Sequence, residues 1–361
     1  MSSITRRFYT ELCQTLFRHP SLVDAAEPLI QRVFPWFRAG FYAARVLQIK
    51  PQAGCLRLKL KVGQFFPIFT PGQHLQLRVS IRGVPMERTF SICSSVQQLH
   101  AQREIELAIK IQPQGHFTSA LSGELTPGSY VHLSAPEGDF ALSQGSAACL
   151  VAAGSGVTPL FSMLTSLSRL TVPLLFVYSY RGTEQLLFAE HWAALQAKFP
   201  LLKLVLWDSA TRGRLSADRI FEELQPELRG QFLLCGPVAF TQDLRTACLA
   251  RGVSPTQITA ESFGLIQRTA ATSQPVRIAL GRQQHDLGGQ GSILQRAEQS
   301  GLVLRYGCRR GVCMQCLCDK SSGVVRNLLT GELSDAGAGR IQLCISEAVS
   351  PVELSSEGLI V

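Results

Sequence analysis

Between about residues 146 and 264, apolar strand-like runs ("ACLVAAG", "VPLLFVYS", "LKLVLWD", "QFLLCG", "QITAES") alternate with helix-like ones ("TPLFSMLTSL", "FAEHWAALQAKF", "SADRIFEEL", "AFTQDLRTACLA"). Alternation of this kind demands parallel strands joined by crossover helices, a doubly wound sheet. The stretch before it has a different period. From about 41 to 142, short alternating segments ("LRLKLKV", "QHLQLRV", "REIELAIKI", "SYVHLSA") recur between Gly and Pro turns, which predicts an antiparallel barrel or sandwich. "LIQRTAATSQP" is polar, lacks periodicity and ends in Pro, so it reads as a linker. The last 86 residues form a small mixed unit. The expected layout is a helical lead over 1–40, a barrel over 41–143, an α/β unit over 144–264, a linker over 265–275 and an α+β unit over 276–361.

A length of 361 residues suits two or three such domains, and 46% hydrophobic with 17% charged residues describes a folded protein. No apolar run approaches the roughly 18 residues needed to span a bilayer. The start, "MSSITRRFYTELCQ", lacks the pattern of a secretory signal, so the chain is expected to be cytoplasmic. In the lead, Ile4, Phe8, Leu12 and Leu16 fall at i, i+4 spacing. That pattern fits a helix packed on the barrel better than one docked on a partner or on the inner face of the membrane.

The formal net charge of +9 is uneven, with residues 1–50 holding seven Arg or Lys against three acids. The basic residues are interspersed with apolar ones and form no nucleic-acid module, so nucleic acid is not an expected partner. Dinucleotide phosphates, anionic lipid or an acidic protein suit this surface better. The 11 cysteines, an odd number with no export signal, point to metal ligands or core residues rather than disulfides.

Three stretches carry candidate chemistry. In "ERTFSICSS", period-two alternation places Arg88 and Phe90 on one face and Ser91 on the other. A flat redox ring needs an apolar wall and a hydroxyl, and a diphosphate needs a guanidinium fork and backbone amides. An ordinary edge-strand arginine fits this stretch equally well. In "AAGSGVTPLFSML", Gly154 and Gly156 follow a strand and Thr158–Pro159 open a helix, the context in which glycines admit a pyrophosphate to a helix N-terminus. "LLCGPVAF" repeats that geometry with Cys235, Gly236 and Pro237 at a strand's carboxyl end; alone, Cys235 reads as a small buried hydrophobe.

The strongest of the chemical signals is "RYGCRRGVCMQC". Cys308, Cys313 and Cys316 are spaced C-x4-C-x2-C and Cys344 follows, the plant-type arrangement for a [2Fe–2S] cluster. Four thiolates also suit zinc, although zinc sites more often present two separated C-x2-C knuckles. Cys318 is read as packing.

In order, "RTFS", "GHFTS", "GSGVTP", "CGP" and "ESF" resemble the ferredoxin–NADP reductase superfamily, with a plant-type ferredoxin domain fused at the C-terminus. The resemblance spans roughly 41 to 361. It implies a flavin-binding antiparallel β-barrel, an NAD(P)-binding α/β domain and a β-grasp ferredoxin unit. It implies that Arg88 and Thr89 bind the FAD diphosphate region, Phe90 lies against the isoalloxazine and Ser91 bonds its reactive nitrogen. Gly115, Phe117 and Thr118 match the diphosphate turn, and Gly154, Gly156, Thr158 and Pro159 match the nicotinamide-dinucleotide loop. Cys235, Gly236 and Pro237 match the motif beside the nicotinamide, and Glu261 and Phe263 match the terminal Glu-x-Phe. Ser91, Cys235 and Glu261 are the implied catalytic residues, and Cys308, Cys313, Cys316 and Cys344 the implied cluster ligands. Phe90 replaces a commoner Tyr, so one hydroxyl contact is missing.

The resemblance implies hydride passing from NAD(P)H to FAD and single electrons passing through the cluster to a terminal oxygenase. The tail and the long lead resemble bacterial reductases that serve membrane fatty-acyl desaturases, which makes a desaturase the expected acceptor. The alternatives are a soluble ring-hydroxylating or similar oxygenase and a redox sensor without turnover. Arg181 after the second α/β strand, with Arg212 and Arg214 in the next loop, favours NADPH over NADH, because no acid ends that strand to hold a ribose hydroxyl.

Overall fold

The computed structural model describes residues 38, 40–81, 84–112, 117–143, 145–223, 230–263, 274–281, 283–302, 304, 306, 311, 316–329 and 331–356. The helical reading of the lead, most of the linker, Gly115, Cys308 and Cys313 lie outside the described residues.

Six antiparallel strands make the first unit: β1 (Tyr42–Gln52), β2 (Cys55–Val62), β3 (His74–Ile81), β4 (Val84–Ser91), β5 (Glu104–Lys110) and β6 (Tyr130–Leu133). Their order is β4-β3-β6-β1-β2-β5, and a bridge between Ile92 and Leu107 brings the two edges together. Alternation explains the layer. In "CLRLKLKV" Leu56, Leu58 and Leu60 are fully buried, while Arg57 and Lys59 face out and pair with Glu106 at 2.5 Å and Glu104 at 2.8 Å on β5. Each buried leucine contributes about 1.5–3 kcal/mol of burial free energy, whereas the outer pairs chiefly fix register.

The second unit is a parallel sheet of β7 (Ala148–Ala153), β8 (Leu174–Tyr180), β9 (Leu202–Asp208), β10 (Gln231–Pro237) and β11 (Ile258–Phe263), in the order β11-β10-β7-β8-β9. β7 is apolar on both faces because both are covered. Leu150 and Ala152 join one core and Cys149 and Val151 the other, on opposite sides of the sheet. The chain runs outward from β7 to β9 and then returns to β10 on the other side of β7. The crevice beyond the carboxyl ends of β7 and β10 is therefore the topological switch point.

The third unit is a mixed sheet with the order β13-β12-β18-β14-β16, where β12 is Val276–Leu280, β13 Gln283–Asp286, β14 Leu317–Ser322, β16 Gly339–Gln342 and β18 Val352–Ser356. A small ribbon pairs β15 (Val325–Asn327) with β17 (Ser346–Ala348). β12 and β18 run parallel, and the helix Ile293–Gln299 opens with a capping box between Ser292 and Gln295.

The first two units are tied by short polar links. Ser162 Oγ donates to the Ser94 carbonyl at 2.7 Å, and Arg57 Nη1 reaches Glu190 Oε1 at 2.5 Å. Among the described residues no helix is long and apolar enough to cross a membrane.

Candidate functional site

Strand register assembles the site. Ser91 ends β4 directly opposite His74, the first residue of β3. The His74 backbone is held on its other side by Glu137, with bonds of 3.0 and 2.8 Å. His74 Nδ1 lies 3.5 Å from Glu261 Oε1 across the junction between the barrel and the middle unit. Glu261 is in register with Cys235 on β10, and Cys235 with Ala152 on β7. Four side chains from four strands thus converge where β10 and β11 reach the barrel.

The hydroxyls there are informative. Thr89 and Ser91 are 9% and 5% exposed, and neither Oγ1 of Thr89 nor Oγ of Ser91 has a hydrogen-bond partner among the described residues. A buried hydroxyl left unbonded costs about 1–3 kcal/mol, so two on one strand mark a place built to bond something else. A flavin, which presents a flat ring edged with nitrogen and oxygen acceptors, fits these donors.

On the opposite face of β4, Phe90 stacks on Phe117 with centroids 6.1 Å apart and planes 24° apart. The Arg88 guanidinium lies 5.6 Å from the Phe117 ring and 5.4 Å from the ring of Tyr306 in the third unit. It also donates to the Glu87 carbonyl at 2.7 Å. Thr118 accepts from the Gln112 amide at 3.0 Å and so shapes the turn after β5.

At the switch point the two glycine loops touch. Gly154 has φ +55°, in the left-handed region, and nothing lies within 4 Å of the side a Cβ would occupy. Gly156 is the close-approach residue: a Cβ there would sit 2.7 Å from Gly236 Cα and nearer still to the Cys235 carbonyl. Thr158 and Pro159 are buried in the first turn of the helix Val157–Ser166, and Thr158 Oγ1 donates to the Ser155 carbonyl at 3.0 Å. Pro237 stands opposite Phe263 where β10 and β11 end. The arrangement provides an open, amide-lined crevice suited to a diphosphate.

The arginines divide into different roles. Arg181 is exposed after β8, Arg212 stacks 3.8 Å from the centroid of Trp207, and Arg214 pairs with Asp243 at 2.8 Å on the surface. No acid ends β8, but Asp208 at the end of neighbouring β9 accepts from the Gly182 amide at 2.8 Å. The Glu184 carboxylate also packs over Gly182. Two carboxylates therefore share the turn that carries Arg181.

In the third unit Cys316 and Cys344 are buried in one core, and the Leu343 amide donates to the Cys316 carbonyl at 3.0 Å. Gln342 Nε2 donates to the Gly311 carbonyl at 2.6 Å, and Gly311 stands in sequence between the other two cysteines. Cys318 lies on β14, and burial pushes its thiol up to about 12, so it stays neutral. The two buried thiols, one just before β14 and one just after β16, fit half of a four-thiolate set.

His74, Asp208 and Tyr306 were not evident from sequence. The one available signal for His74 was a polar residue inside "TPGQHLQL" immediately before an alternating strand. Nothing in the sequence marked the other two.

The chain matches the oxidoreductase FAD-binding domain over residues 46–142 and the oxidoreductase NAD-binding domain over residues 150–246. It is 27% identical over 322 residues to an NADPH oxidoreductase of Mycobacterium tuberculosis (strain ATCC 25618 / H37Rv), covering 87% of this chain and 84% of that one. It is 27% identical over 301 residues to the ferredoxin reductase component of a 3-ketosteroid-9-alpha-monooxygenase of Mycobacterium tuberculosis (strain CDC 1551 / Oshkosh), covering 78% and 83%. The solved structure of phthalate dioxygenase reductase superposes with a TM-score of 0.62 at 22% identity, covering 88% of this chain and 98% of that one. The chain is an oxidoreductase that carries an FAD-binding and an NAD-binding domain.

Proposed function

We propose that the protein is the reductase component of an oxygenase system, taking electrons from NADPH and passing them one at a time to a terminal oxygenase. The observation that carries this reading is the convergence of Ser91, His74, Glu261 and Cys235 at the switch point, beside buried hydroxyls with no bonding partner among the described residues. FAD, when bound, accepts two electrons as hydride and releases them singly, and a [2Fe–2S] cluster carries one electron at a time.

The residues of the chain have distinct tasks in this reading. Ser91 Oγ hydrogen-bonds the reactive edge of the flavin, and Arg88 and Thr89 hold its phosphate side, with the turn at Gly115, Phe117 and Thr118. Gly154, Gly156, Thr158 and Pro159 admit the nucleotide diphosphate. Cys235, Gly236 and Pro237 hold the nicotinamide against the flavin, and Phe263 closes the site. His74, 3.5 Å from Glu261, positions that carboxylate at the crevice. Arg212, pre-stacked on Trp207, meets a 2′-phosphate with Arg181 and Arg214 around it. Cys308, Cys313, Cys316 and Cys344 ligate the cluster.

The cluster reading is supported by the cysteine spacing and by the placement of Cys316 and Cys344. It is also supported by a fold similarity that extends into the third unit: residues 1–263 are fewer than three quarters of the 361, so coverage of 88% reaches beyond them. The named relatives favour a ring-hydroxylating or monooxygenase partner over a fatty-acyl desaturase.

The test is an anaerobic titration with NADPH and, separately, NADH, following flavin absorbance and the electron paramagnetic resonance of the cluster. Flavin bleaching together with a rhombic [2Fe–2S] signal, with NADPH preferred, is the expected result. A protein that carries zinc, or that bleaches without any cluster signal, overturns the proposal. Deleting residues 1–38 separates the acceptor classes. A soluble oxygenase partner is served as before, whereas a membrane desaturase is served less well.

A further inference from the structure

A chain of stacked groups leaves the barrel and enters the third unit. Phe90 stacks on Phe117 at 6.1 Å, and the Arg88 guanidinium lies 5.6 Å from the Phe117 ring and 5.4 Å from the Tyr306 ring. Tyr306 is partly buried and packs on the core that contains Cys316 and Cys344. It also lies two residues before Cys308. One side chain is thus shared between the core of the cysteine unit and the arginine at the flavin end of the barrel.

We propose that Tyr306 is a positioning residue that docks the cysteine unit on the barrel through Arg88 and thereby sets how fast electrons cross between the two. This rests on the reading that flavin and cluster are the two redox centres. The physical basis is specific. A guanidinium within reach of two aromatic rings is attracted by both, and it is already oriented by its bond to the Glu87 carbonyl. Among the described residues the barrel and the third unit share no sheet, and Arg88 belongs to β4, so this side-chain contact is a direct link between β4 and the cysteine unit.

The test uses the full-length protein loaded with its cofactors, as Tyr306→Phe and Tyr306→Leu. Two quantities are read: amide deuterium uptake over residues 86–91 and 117–121, and the separate rates of flavin bleaching and cluster-signal growth after mixing with NADPH. The Phe variant keeps the ring and is expected to stay within about twofold in all readings. The Leu variant keeps apolar bulk but loses the π face. It is expected to raise uptake in both segments and to slow cluster reduction about tenfold, the population shift one such contact can hold, with flavin bleaching unchanged. If Leu matches Phe in cluster rate and uptake, the proposal is overturned, because bulk alone then suffices. If flavin bleaching slows in step with cluster reduction, it is also overturned, because the residue then acts on the flavin site itself. If the wild type shows no cluster signal, the reading of the redox centres fails, and the uptake comparison still decides the docking claim.

Discussion

At the junction of the barrel and the middle unit every candidate residue is set by strand register. Ser91 faces His74, Glu261 faces Cys235, and the two glycine loops meet backbone to backbone. In the third unit the two described candidate ligands stand at strand ends. Cys316 precedes β14 and Cys344 follows β16, the Leu343 amide donates to the Cys316 carbonyl, and Gln342 donates to the Gly311 carbonyl. The difference is between a site written into hydrogen-bonded ladders and one that four thiolates complete only together. The first should lose function in portions as residues are changed, and the second should lose it all at once.

The sharpest contrast is expected from Cys344→Ser. Losing one of four ligands should empty the site, with iron falling from about two per chain to near none. Reduction of cytochrome c should drop more than about a hundredfold, beyond what a supporting residue around a metal usually costs. Direct reduction of ferricyanide by NADPH should persist. Cys318→Ala in the same core should keep its iron, because Cys318 lies within β14 with its sulfur donating to the Ser355 carbonyl at 3.6 Å. Iron retained in the Ser variant would break the comparison at its first step.

Gly156→Ala should produce the largest loss at the junction. The new methyl would strike the Cys235 carbonyl and Gly236 Cα, which are backbone atoms that cannot rotate away. Overpacking against backbone costs about 1–3 kcal/mol or more, so both the melting temperature and the NADPH affinity should fall. Ser91→Ala should be milder and selective. Removing one aimed donor slows flavin reduction by roughly a hundredfold, while flavin content and register stay intact. Stability of the flavin-free protein should hold or rise slightly, since the hydroxyl that is lost has no bonding partner among the described residues. A Ser91→Ala protein that loses flavin altogether would show that this site too is all-or-none.

Which parts of this were legible in the sequence follows from the same contrast. The period of two in "LRLKLKV" and the apolar runs of the middle unit are enforced by burial, and burial is written residue by residue. The Gly-x-Gly and Cys-Gly-Pro turns were legible because they sit at strand ends that only small residues allow. Pairing across distant segments was not. No local pattern says that His74 will meet Glu261, that Asp208 from β9 will hold the turn after β8, or that Tyr306 will stack on Arg88. Those contacts depend on how three units close on one another, and the sequence records only that each unit has a face to bury.

The smallest effect concerns that closure. Glu190, at the start of the helix Ala189–Lys198, meets Arg57 of β2 at 2.5 Å and Gln52 at 2.9 Å, bridging the middle unit to the barrel. Burial pulls its carboxyl up, but the bonds from backbone, Gln52 and Arg57 outweigh that and hold it down to about 2. An unfolded glutamate titrates near about 4.3, so the folded value is depressed. The stabilisation is therefore full above about pH 4.3 and fades as pH falls toward 2. The Glu190 side chain is 43% exposed, and solvent screening keeps the bridge under about 1 kcal/mol. Glu190→Gln should accordingly lower the urea midpoint only slightly at pH 7, and its difference from wild type should shrink progressively below pH 4.3. The same variant should leave Ser91, Cys235 and the cysteine unit untouched, with flavin reduction within about twofold. A deficit that stays constant from pH 7 to pH 3.5 would mean that shape, rather than charge, joins the two units at this point. Closure would then rest on the same packing that holds each unit separately.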